Sequence, residues 1–332
     1  MAVVKNPPAP GTDEWKRMVT ASKVAPMITN KSTGDYLGIG YISAYEQFME
    51  MAGKWERTID ADTQAMFEDA HDAEDYAVNV WKRKNPGWRT SKGEVAYTDE
   101  SLPFPNLVTL DRRAVRGRAK RIIEVKRPRV PRGVEDKWLV QVQFQMGVSG
   151  IYQADLVEVP VYGQPVIHKI EFDQGLYDGI CKDAEKFYNL IELDFPPAAG
   201  DSEHAKEILA ALNPVDDTQP PVQLDQDMMD GLLDAWKNLK AAEDRALEWE
   251  NMVTERMGQA PKSEYDGRVV ATRPAPRFAV SRVPKDMKKH LSDPDVTSTK
   301  LDPKKLRKKY PDVYDAALGD SKVTFKRKDW LK

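Results

Sequence analysis

The chain has 332 residues, of which 41% are hydrophobic and 31% charged, as expected of one large domain or of a domain with an appendage. Its 50 Lys and Arg residues nearly balance 53 Asp and Glu residues, which excludes a uniformly basic nucleic-acid coat protein but allows a local basic patch. The single cysteine, Cys181, excludes an intramolecular disulfide and a thiolate zinc site, and the four scattered histidines disfavour a histidine zinc site.

Three helices and the segments that join them are predicted in the first 90 residues. Residues 1–12 are rich in proline and are predicted to form a flexible arm. Thr12 or Asp13 can cap a first helix, and the pattern of apolar residues predicts further helices over 43–55 and 62–83.

A period of two then replaces the helical period and predicts strands. The strands are predicted over residues 94–99, 106–111, 120–126, 154–162 and 165–172, with helices over 137–148 and 174–193. This order predicts an α/β (α+β) core over residues 13–195, with a central mixed sheet flanked by helices.

The remaining chain is predicted to be a linker followed by an extension. Proline pairs interrupt residues 196–224, the predicted linker. Residues 225–332 are predicted to form a C-terminal extension with a long helix over 225–257 and an irregular basic tail. Apolar residues recur along that helix at Met228, Met229, Leu232, Leu233, Trp236 and Leu239, and core packing is favoured for them over a partner groove. The basic runs 300–309 and 322–328 fit either DNA contacts or solvated tail.

The strand over 120–126 carries the first candidate chemistry. Side chains alternate along a strand, so Glu124 and Lys126 lie on one face. Asp111 ends the preceding strand, and a hairpin turning at Gly117 would bring it close to Glu124. Two carboxylates beside a lysine are what an Mg²⁺-dependent phosphodiesterase needs. Each feature alone also has a structural explanation. A Glu-x-Lys sequence in a strand is more often the solvated face of an edge strand, and Asp111 could equally cap a turn.

Two helices add candidate groups. Glu74 falls inside the apolar stripe of the helix over 62–83, and an unpaired carboxylate is costly on a buried face. Either a metal ion or a buried salt bridge would satisfy it. On the helix over 137–148, Gln141 and Gln145 share a face at i, i+4 and can hold water or phosphate, although glutamines are common on helix surfaces.

In their order along the chain, these residues resemble the PD-(D/E)xK nuclease motif. More narrowly, residues 13–195 resemble the phage lambda exonuclease and YqaJ-type viral recombinase family. The segments that carry the resemblance are Trp15 with Thr20-Ala21-Ser22, Asp111, Glu124-Val125-Lys126-Arg127-Pro128, Gln141-Val142-Gln143, Gly147-Val148-Ser149-Gly150 and Ala154-Asp155. One departure is the sequence Thr109-Leu110-Asp111-Arg112, where the family usually has Ser/Thr-Pro-Asp-Gly.

The resemblance implies a restriction-endonuclease-like core with one metal site. It implies Mg²⁺, with Mn²⁺ as a substitute, bound by Glu74, Asp111 and Glu124. It also implies that Asp111, Glu124, Lys126 and Gln143 are catalytic and that Gln141 lines the site. Ser22 is placed near DNA, and Arg17 is the candidate for the 5′ phosphate.

Residues 111–133 are unusually basic for a chain with balanced charge, because Lys and Arg outnumber the two acids Asp111 and Glu124. A hairpin of this charge beside a carboxylate site predicts phosphate contacts along the DNA backbone, in which Arg112, Arg113 and Arg127 take part. A solvated hairpin is the alternative.

The resemblance predicts a Mg²⁺-dependent exonuclease that degrades double-stranded DNA from free ends, 5′→3′, and leaves a 3′ single strand for recombination. It implies a single-strand annealing protein or recombinase as partner and a ring-like homo-oligomer. Alternatives are a structure-specific or restriction-type endonuclease of the same fold and a non-catalytic DNA-binding protein. Because no apolar run approaches ~20 residues and the N-terminus has no signal-peptide pattern, we expect a cytoplasmic protein without membrane contact, in the host cytoplasm if phage-encoded.

Overall fold

The computed structural model describes residues 2–214, 216, 218–297, 301–318 and 324–325. The chain divides into two units, Met1–Asp217 and Thr218–Lys332. The predicted basic run over 322–328 lies outside the described residues except at 324 and 325, so that prediction has no structural counterpart.

The first unit contains the predicted helices and strands, together with several short elements that were not predicted. Its helices are α1 (Asp13–Arg17), α2 (Ala44–Met51), α3 (Ala61–Lys84), α4 (Asp136–Ser149), α5 (Gln174–Glu192) and α6 (Glu203–Leu212). Its strands are β1 (Ala2–Val4), β2 (Val19–Thr20), β3 (Arg89–Thr90), β4 (Val95–Thr98), β5 (Asn106–Leu110), β6 (Arg112–Arg116), β7 (Ala119–Lys126), β8 (Gln153–Glu158) and β9 (Val166–Glu171). The prediction of a mixed sheet flanked by helices is confirmed. The prediction that residues 1–12 form a flexible arm is wrong at Ala2–Val4, because backbone pairing with β4 holds β1 at the edge of a sheet.

Local capping explains where the main helices begin and end. Ser43 and Glu46 form a capping box at the start of α2, and the Asp60 side chain accepts a hydrogen bond from Thr63 N at the start of α3. Gly150 ends α4 in the left-handed conformation, with φ +66°.

The sheet that carries the site has five strands in the order β3-β6-β7-β8-β9. Strands β7 and β8 are parallel, as their connection through α4 allows, and the other pairs are antiparallel. The predicted turn at Gly117 joins β6 to β7, with φ +62° at the glycine. Strand β6 was not predicted, because its basic residues hide the alternation of buried positions.

A second sheet has the order β1-β4-β5-β2, with β5 leading directly into Asp111 and β6. Strand β2 runs parallel to β5, with Thr20 opposite Leu107. Strand β2 ends at Thr20, and Lys23 N donates to Thr20 O at 2.9 Å, so Ser22 lies in the turn that follows β2.

The two faces of the five-stranded sheet are covered by different helices. Ile122 and Leu156 belong to the large apolar cluster that includes α4, whereas Ile123 and Val157 pack with Trp81 of α3. Strand β7 is thus buried on both faces, and its alternation sends neighbouring side chains to opposite helices.

The predicted linker over 196–224 contains the helix α6. Ala205 and Ile208 of α6 are buried in the main core, and His204 Nδ1 lies 2.8 Å from Glu46 Oε1 of α2. A helix at this position was missed because the flanking prolines masked a short amphipathic segment. The domain boundaries themselves stay a prediction.

The end of α1 is held by one buried lysine. Lys23 Nζ donates hydrogen bonds to the carbonyl oxygens of Trp15, Lys16 and Met18 at 2.7, 2.9 and 3.0 Å. The ammonium group also lies 3.8 Å from the centre of the Trp15 ring. The ammonium group thus binds carbonyl oxygens at the C-terminal end of α1, where helix carbonyls lack partners within the helix itself.

We expect Lys23→Met to lower the free energy of unfolding by about 2 kcal/mol, because the carbonyl oxygens of Trp15, Lys16 and Met18 would lose the hydrogen bonds from the ammonium group while the apolar stem is kept. Chemical denaturation of the purified variant measures this. Lys31→Met, at an exposed loop position, is the control and should change stability little. Equal stability of the Lys23 variant and the wild type would contradict this role.

The second unit begins with a long helix. Its elements are α7 (Gln226–Met257), β10 (Lys262–Tyr265), β11 (Arg268–Thr272), α8 (Pro303–Lys309), α9 (Pro311–Ala316) and β12 (Thr324–Phe325). Strands β10, β11 and β12 form a three-stranded sheet, and a small apolar cluster includes Val283, Val296, Leu306 and Val313.

The prediction that the apolar stripe of α7 is core packing is wrong. Met228, Trp236 and Leu239 are all more than half exposed. The reason is that the buried cluster of this unit is built from residues that follow α7 and its hairpin. Within the described part of the chain, no helix is both long and apolar enough to cross a membrane.

Candidate metal and catalytic site

The site lies where the C-terminal end of β7 meets the N-terminal half of α3. A cavity of about 230 Å³ opens there. Its polar lining comprises His71, Glu74, Asp111, Glu124, Lys126 and Arg127. The cavity therefore brings together both predicted carboxylates of the strands, the predicted helix glutamate and the predicted lysine.

Asp111 reaches the site because β6 begins immediately after it. Arg112 pairs with Ile123 across the hairpin, which places Asp111 opposite Glu124, as predicted. Asp111 Oδ2 accepts a hydrogen bond of 2.7 Å from Val125 N. Burial, reinforced by the charge of Glu124, raises the pKa of Asp111 well above its usual range. This is the signature of negative charge that a cation would stabilise.

Glu124 is buried within a network of donors. Lys126 Nζ donates to Glu124 Oε1 at 2.8 Å and to Gln141 Oε1 at 2.9 Å, and Gln141 Nε2 donates to the same Glu124 oxygen at 2.6 Å. Gln145 Nε2 donates to Glu124 Oε2 at 2.8 Å. Although burial lowers the pKa of Lys126, the charges of Glu124 and Asp111 outweigh it and raise that pKa overall. The lysine is thus held as an ammonium ion.

Gln143 does not lie at the site, in contrast to the role predicted for it. Its Nε2 donates to Glu171 O at 2.9 Å, and its Oε1 accepts from Asp173 N at 2.9 Å. Two residues along a helix turn the side chain by about 200°, so Gln143 points away from the face that Gln141 and Gln145 share. Gln143 instead ties α4 to the end of β9.

A further carboxylate, Glu94, was not predicted. One carboxylate oxygen each from Glu74, Glu94 and Asp111 lie within 4.8 Å of one another. Strand β4 pairs with β5 so that Val95 faces Leu110, and this register puts Glu94 opposite Asp111. Burial, together with the charge of Glu74, raises the pKa of Glu94. Its only signal in the sequence is an acid directly before a strand, which is too common to be informative.

Glu74 is already partly neutralised by neighbouring groups. Arg112 donates to Glu74 at 3.0 Å and to Asp75 at 2.9 Å, and His71 Nδ1 lies 3.0 Å from Glu74. Arg112 is buried, so the expectation that it contacts DNA directly is wrong. The predicted alternative, a buried salt bridge to Glu74, is present as its ion pair with Arg112. The cluster of Glu74, Glu94 and Asp111 still contains more carboxylates than this one cation can neutralise.

The donor set fits a hard divalent cation. Four carboxylates, from Glu74, Glu94, Asp111 and Glu124, meet the two close cations Lys126 and Arg112. Oxygen ligands of this kind are those that Mg²⁺ and Mn²⁺ take in proteins. Glu74, Glu94 and Asp111 could hold one ion, with Glu124 beside Asp111.

The other predicted DNA contacts are more dispersed. Arg127 lines the cavity and pairs with Asp69 at 2.5 Å, and Arg113 donates to the Tyr97 hydroxyl at 3.0 Å. Ser22 is exposed, with its hydroxyl 3.1 Å from that of Thr20. Arg17 lies at the end of α1. Whether these four residues touch DNA stays a prediction.

No protein-family model and no curated protein matches the chain. Solved structures do match. An alkaline exonuclease (LHK-Exo) from Laribacter hongkongensis is 18% identical, covers 61% of this chain and 100% of its own, and has a TM-score of 0.41. A structure of LHK-Exo in complex with dAMP is 19% identical, over 60% of this chain and 97% of that one, with a TM-score of 0.41. A phage-related exonuclease from Haemophilus somnus 129PT is 16% identical, and the match covers 53% of this chain and 96% of that one, with a TM-score of 0.39.

These structures are exonucleases, one of them phage-related, which is the class of protein that the sequence resemblance named. Their identities are below 25% and their TM-scores below 0.5. The residues of the site, and not this likeness, therefore carry the functional proposal.

Proposed function

We propose that the chain is a metal-dependent nuclease that hydrolyses double-stranded DNA from its ends. The observation that carries this proposal is the meeting of Asp111, Glu124 and Glu74 with Lys126 in one open cavity at the end of β7, with Glu94 close to Glu74 and Asp111. These residues come from separate segments of the chain, and burying such like charges together is costly unless a cation binds them.

Each group has a definite part in the proposed hydrolysis. Glu74, Glu94 and Asp111 would hold a divalent cation, which when bound would activate water and stabilise charge on the scissile phosphate. Lys126 presents a positive charge beside Glu124, where it offsets the charge of the phosphate and orients the attacking water. Gln141 and Gln145 hold Glu124 in place from α4.

The finer features of the activity follow from the sequence resemblance. They are the preference for Mg²⁺ with Mn²⁺ as a substitute, 5′→3′ polarity, and a 3′ single-stranded product used in recombination. A single-strand annealing protein or recombinase as partner and a ring-like homo-oligomer belong to the same set of proposals, and so does a place in the cytoplasm.

The decisive experiment compares linear and covalently closed circular duplex DNA in Mg²⁺, in Mn²⁺ and in EDTA. Digestion of the linear form alone, abolished by EDTA, is expected. Labelling the 5′ or the 3′ ends of the linear duplex gives the polarity. Cleavage of closed circles would replace the proposal with an endonuclease, and metal-bound protein that binds but never cuts DNA would replace it with a non-catalytic binding protein.

The hairpin formed by β6 and β7 is proposed to bind the DNA backbone. Arg116, Arg118 and Lys120 are exposed near its turn, which lies about 20 Å from Asp111 at 3.3 Å per residue. The Arg116 and Arg121 guanidinium groups lie 4.9 and 5.2 Å from the Trp88 ring, which stiffens this end of the hairpin. Contacts here would be made through charge and would not depend on base sequence.

We expect Arg118→Gln with Lys120→Gln to weaken duplex binding at every sequence tested. The slope of log K against log salt should become shallower by about 0.9 for each phosphate that the variant no longer neutralises. Fluorescence anisotropy in EDTA measures this without cleavage. Lys182→Gln with Lys186→Gln, which removes two charges from α5, is the matched control. Unchanged affinity and slope in the hairpin variant would exclude the hairpin from the DNA-binding surface.

A further inference from the structure

The second unit has an exposed basic face on its helix α8. Leu306 of α8 is fully buried in the small apolar cluster of this unit. Because successive residues of a helix are rotated by about 100°, Lys304 and Lys308 lie on the side of α8 opposite Leu306, and both are exposed. Lys305 and Arg307 are exposed as well and flank them. The outer face of α8 is therefore cationic along its length.

A second basic segment lies next to the end of α8. The short 3₁₀-helix Lys285–Ser292 carries three exposed lysines. The His290 ring of this segment lies 4.6 Å from the ring of Tyr310, the residue that follows α8. We define the basic surface as the exposed cations of the two segments: Lys285, Lys288, Lys289, Lys304, Lys305, Arg307 and Lys308.

The nearby acidic side chains are engaged with other groups. Asp302 caps α8, because its carboxylate accepts hydrogen bonds of 2.9 and 3.2 Å from two backbone N–H groups of the first turn. Asp293 and Asp295 both form ion pairs with Lys309, which lies outside the basic surface. In the part of the chain that the structure describes, no ion pair joins a cation of the basic surface to a carboxylate.

The positions of these charges work against the stability of α8. Lys304 and Lys305 lie in its first turn, where the positive end of the helix dipole disfavours cations. Lys304 and Lys308 are four residues apart on one face, so their like charges repel each other. Since no ion pair offsets this repulsion, the arrangement is explained by the binding of an anion and not by the folding of α8.

The surroundings of the basic surface favour DNA over a membrane as that anion. Among the described residues between 274 and 318, Val280 is the only large apolar side chain that is exposed. A helix that binds a membrane would present apolar side chains beside its cations. Lysines act as hydrated point charges, which suits contacts with a row of phosphates. A continuous phosphodiester chain can meet the cations of both segments at once.

We propose that the basic surface binds the phosphodiester backbone of DNA, in addition to the hairpin formed by β6 and β7. This inference rests on the proposed function for the choice of DNA as the polyanion, but it does not require the metal site. Every nucleotide presents the same phosphate, so binding is independent of base sequence. A second point of attachment would slow the dissociation of the protein from its substrate.

The first test measures how fast each lysine of the full chain is acetylated, with and without DNA, by mass spectrometry. EDTA is present, so the result does not depend on cleavage. Lys304, Lys305 and Lys308 should react several-fold more slowly when DNA is bound. Lys237, exposed on α7, is the control and should react equally in both states. Separate samples with duplex and with single-stranded DNA show which form the basic surface binds.

The second test removes charge from α8. A variant that combines Lys304→Gln, Lys305→Gln and Lys308→Gln should bind DNA about tenfold more weakly in EDTA at physiological salt, because the release of counterions is reduced. The same three positions changed to arginine keep the charge and should preserve binding. Without DNA, the glutamine variant should melt no lower than the wild type, because the repulsion between residues 304 and 308 is removed.

A matched variant of α7 controls for net charge. Lys237→Gln, Lys240→Gln and Arg245→Gln together remove the same number of exposed cations from the second unit and should leave DNA affinity unchanged. An equal loss of affinity in this variant would overturn the proposal, because the effect would then be one of overall charge.

Two other results would also overturn it. One is equal acetylation of the α8 lysines with and without DNA. The other is wild-type affinity of the glutamine variant for both duplex and single-stranded DNA; if that variant instead loses binding to phosphatidylserine vesicles, the basic surface belongs to a membrane contact. A wild-type protein that shows the expected protection but does not cleave DNA would contradict the nuclease function alone.

Discussion

Asp111→Asn is expected to lower the rate of DNA hydrolysis by about 10³-fold, since it weakens cation binding and the stabilisation of charge at the phosphate that the cation provides. The asparagine oxygen can still accept the hydrogen bond from Val125 N, so the hairpin should keep its geometry. Single-turnover cleavage of a linear duplex in saturating Mg²⁺ measures the effect. Wild-type hydrolysis by this variant would remove Asp111 from the site.

The same variant is expected to be more stable than the wild type when no metal is bound. The pKa of Asp111 is raised in the folded protein, so the folded state binds more protons than the unfolded state, and stability falls as the pH rises through the raised pKa. At neutral pH the charged carboxylate is thus destabilising, and asparagine removes that charge. A gain on the order of 1 kcal/mol would raise Tm by about 2–4 °C in a domain of this size.

Melting curves in EDTA provide the control for this stability effect. The difference in Tm between Asp111→Asn and the wild type should shrink as the pH is lowered, because the wild-type carboxyl becomes protonated. Adding Mg²⁺ should raise the Tm of the wild type more than that of the variant. A variant that loses both activity and stability would instead indicate damage to the fold.

Lys126→Met is expected to lower the cleavage rate by about 10²–10³-fold, because it removes one positioned charge beside the scissile phosphate. Its side chain is only 15% exposed and bonds to Glu124 and Gln141, so duplex affinity in EDTA should change little. The expected signature is therefore a fall in kcat with nearly constant DNA binding.

Metal titration separates the lysine from the carboxylates. Without the ammonium group the site is more negative, so half-saturation of cleavage in Lys126→Met should occur at a lower Mg²⁺ concentration. Asp111→Asn should shift it the other way. Lys120→Met, in the same strand but exposed, is the control and should weaken binding without lowering kcat. A lower Mg²⁺ affinity in Lys126→Met would contradict the role given to the lysine.

Much of the site could be predicted because it depends on local periodicity. The period of two along β7 put Glu124 and Lys126 on one face, and the helical period of α4 put Gln141 and Gln145 together, as their bonds to Glu124 show. Gly117 fixed the turn of the hairpin, and with it the approach of Asp111 to Glu124. These relations hold between residues close in sequence, so the backbone geometry of one strand, helix or turn is sufficient to derive them.

The errors and omissions concern relations between distant segments. Glu94 reaches the site only because β4 pairs with β5. Arg112, which was predicted to contact DNA, instead forms an ion pair with Glu74 because α3 packs beside it. Gln143 faces β9 because the opposite side of α4 is already turned to Glu124. Local patterns fix which side chains share a face. Only the tertiary structure decides what each face meets, since that choice depends on strand order, register and helix docking summed over the whole core.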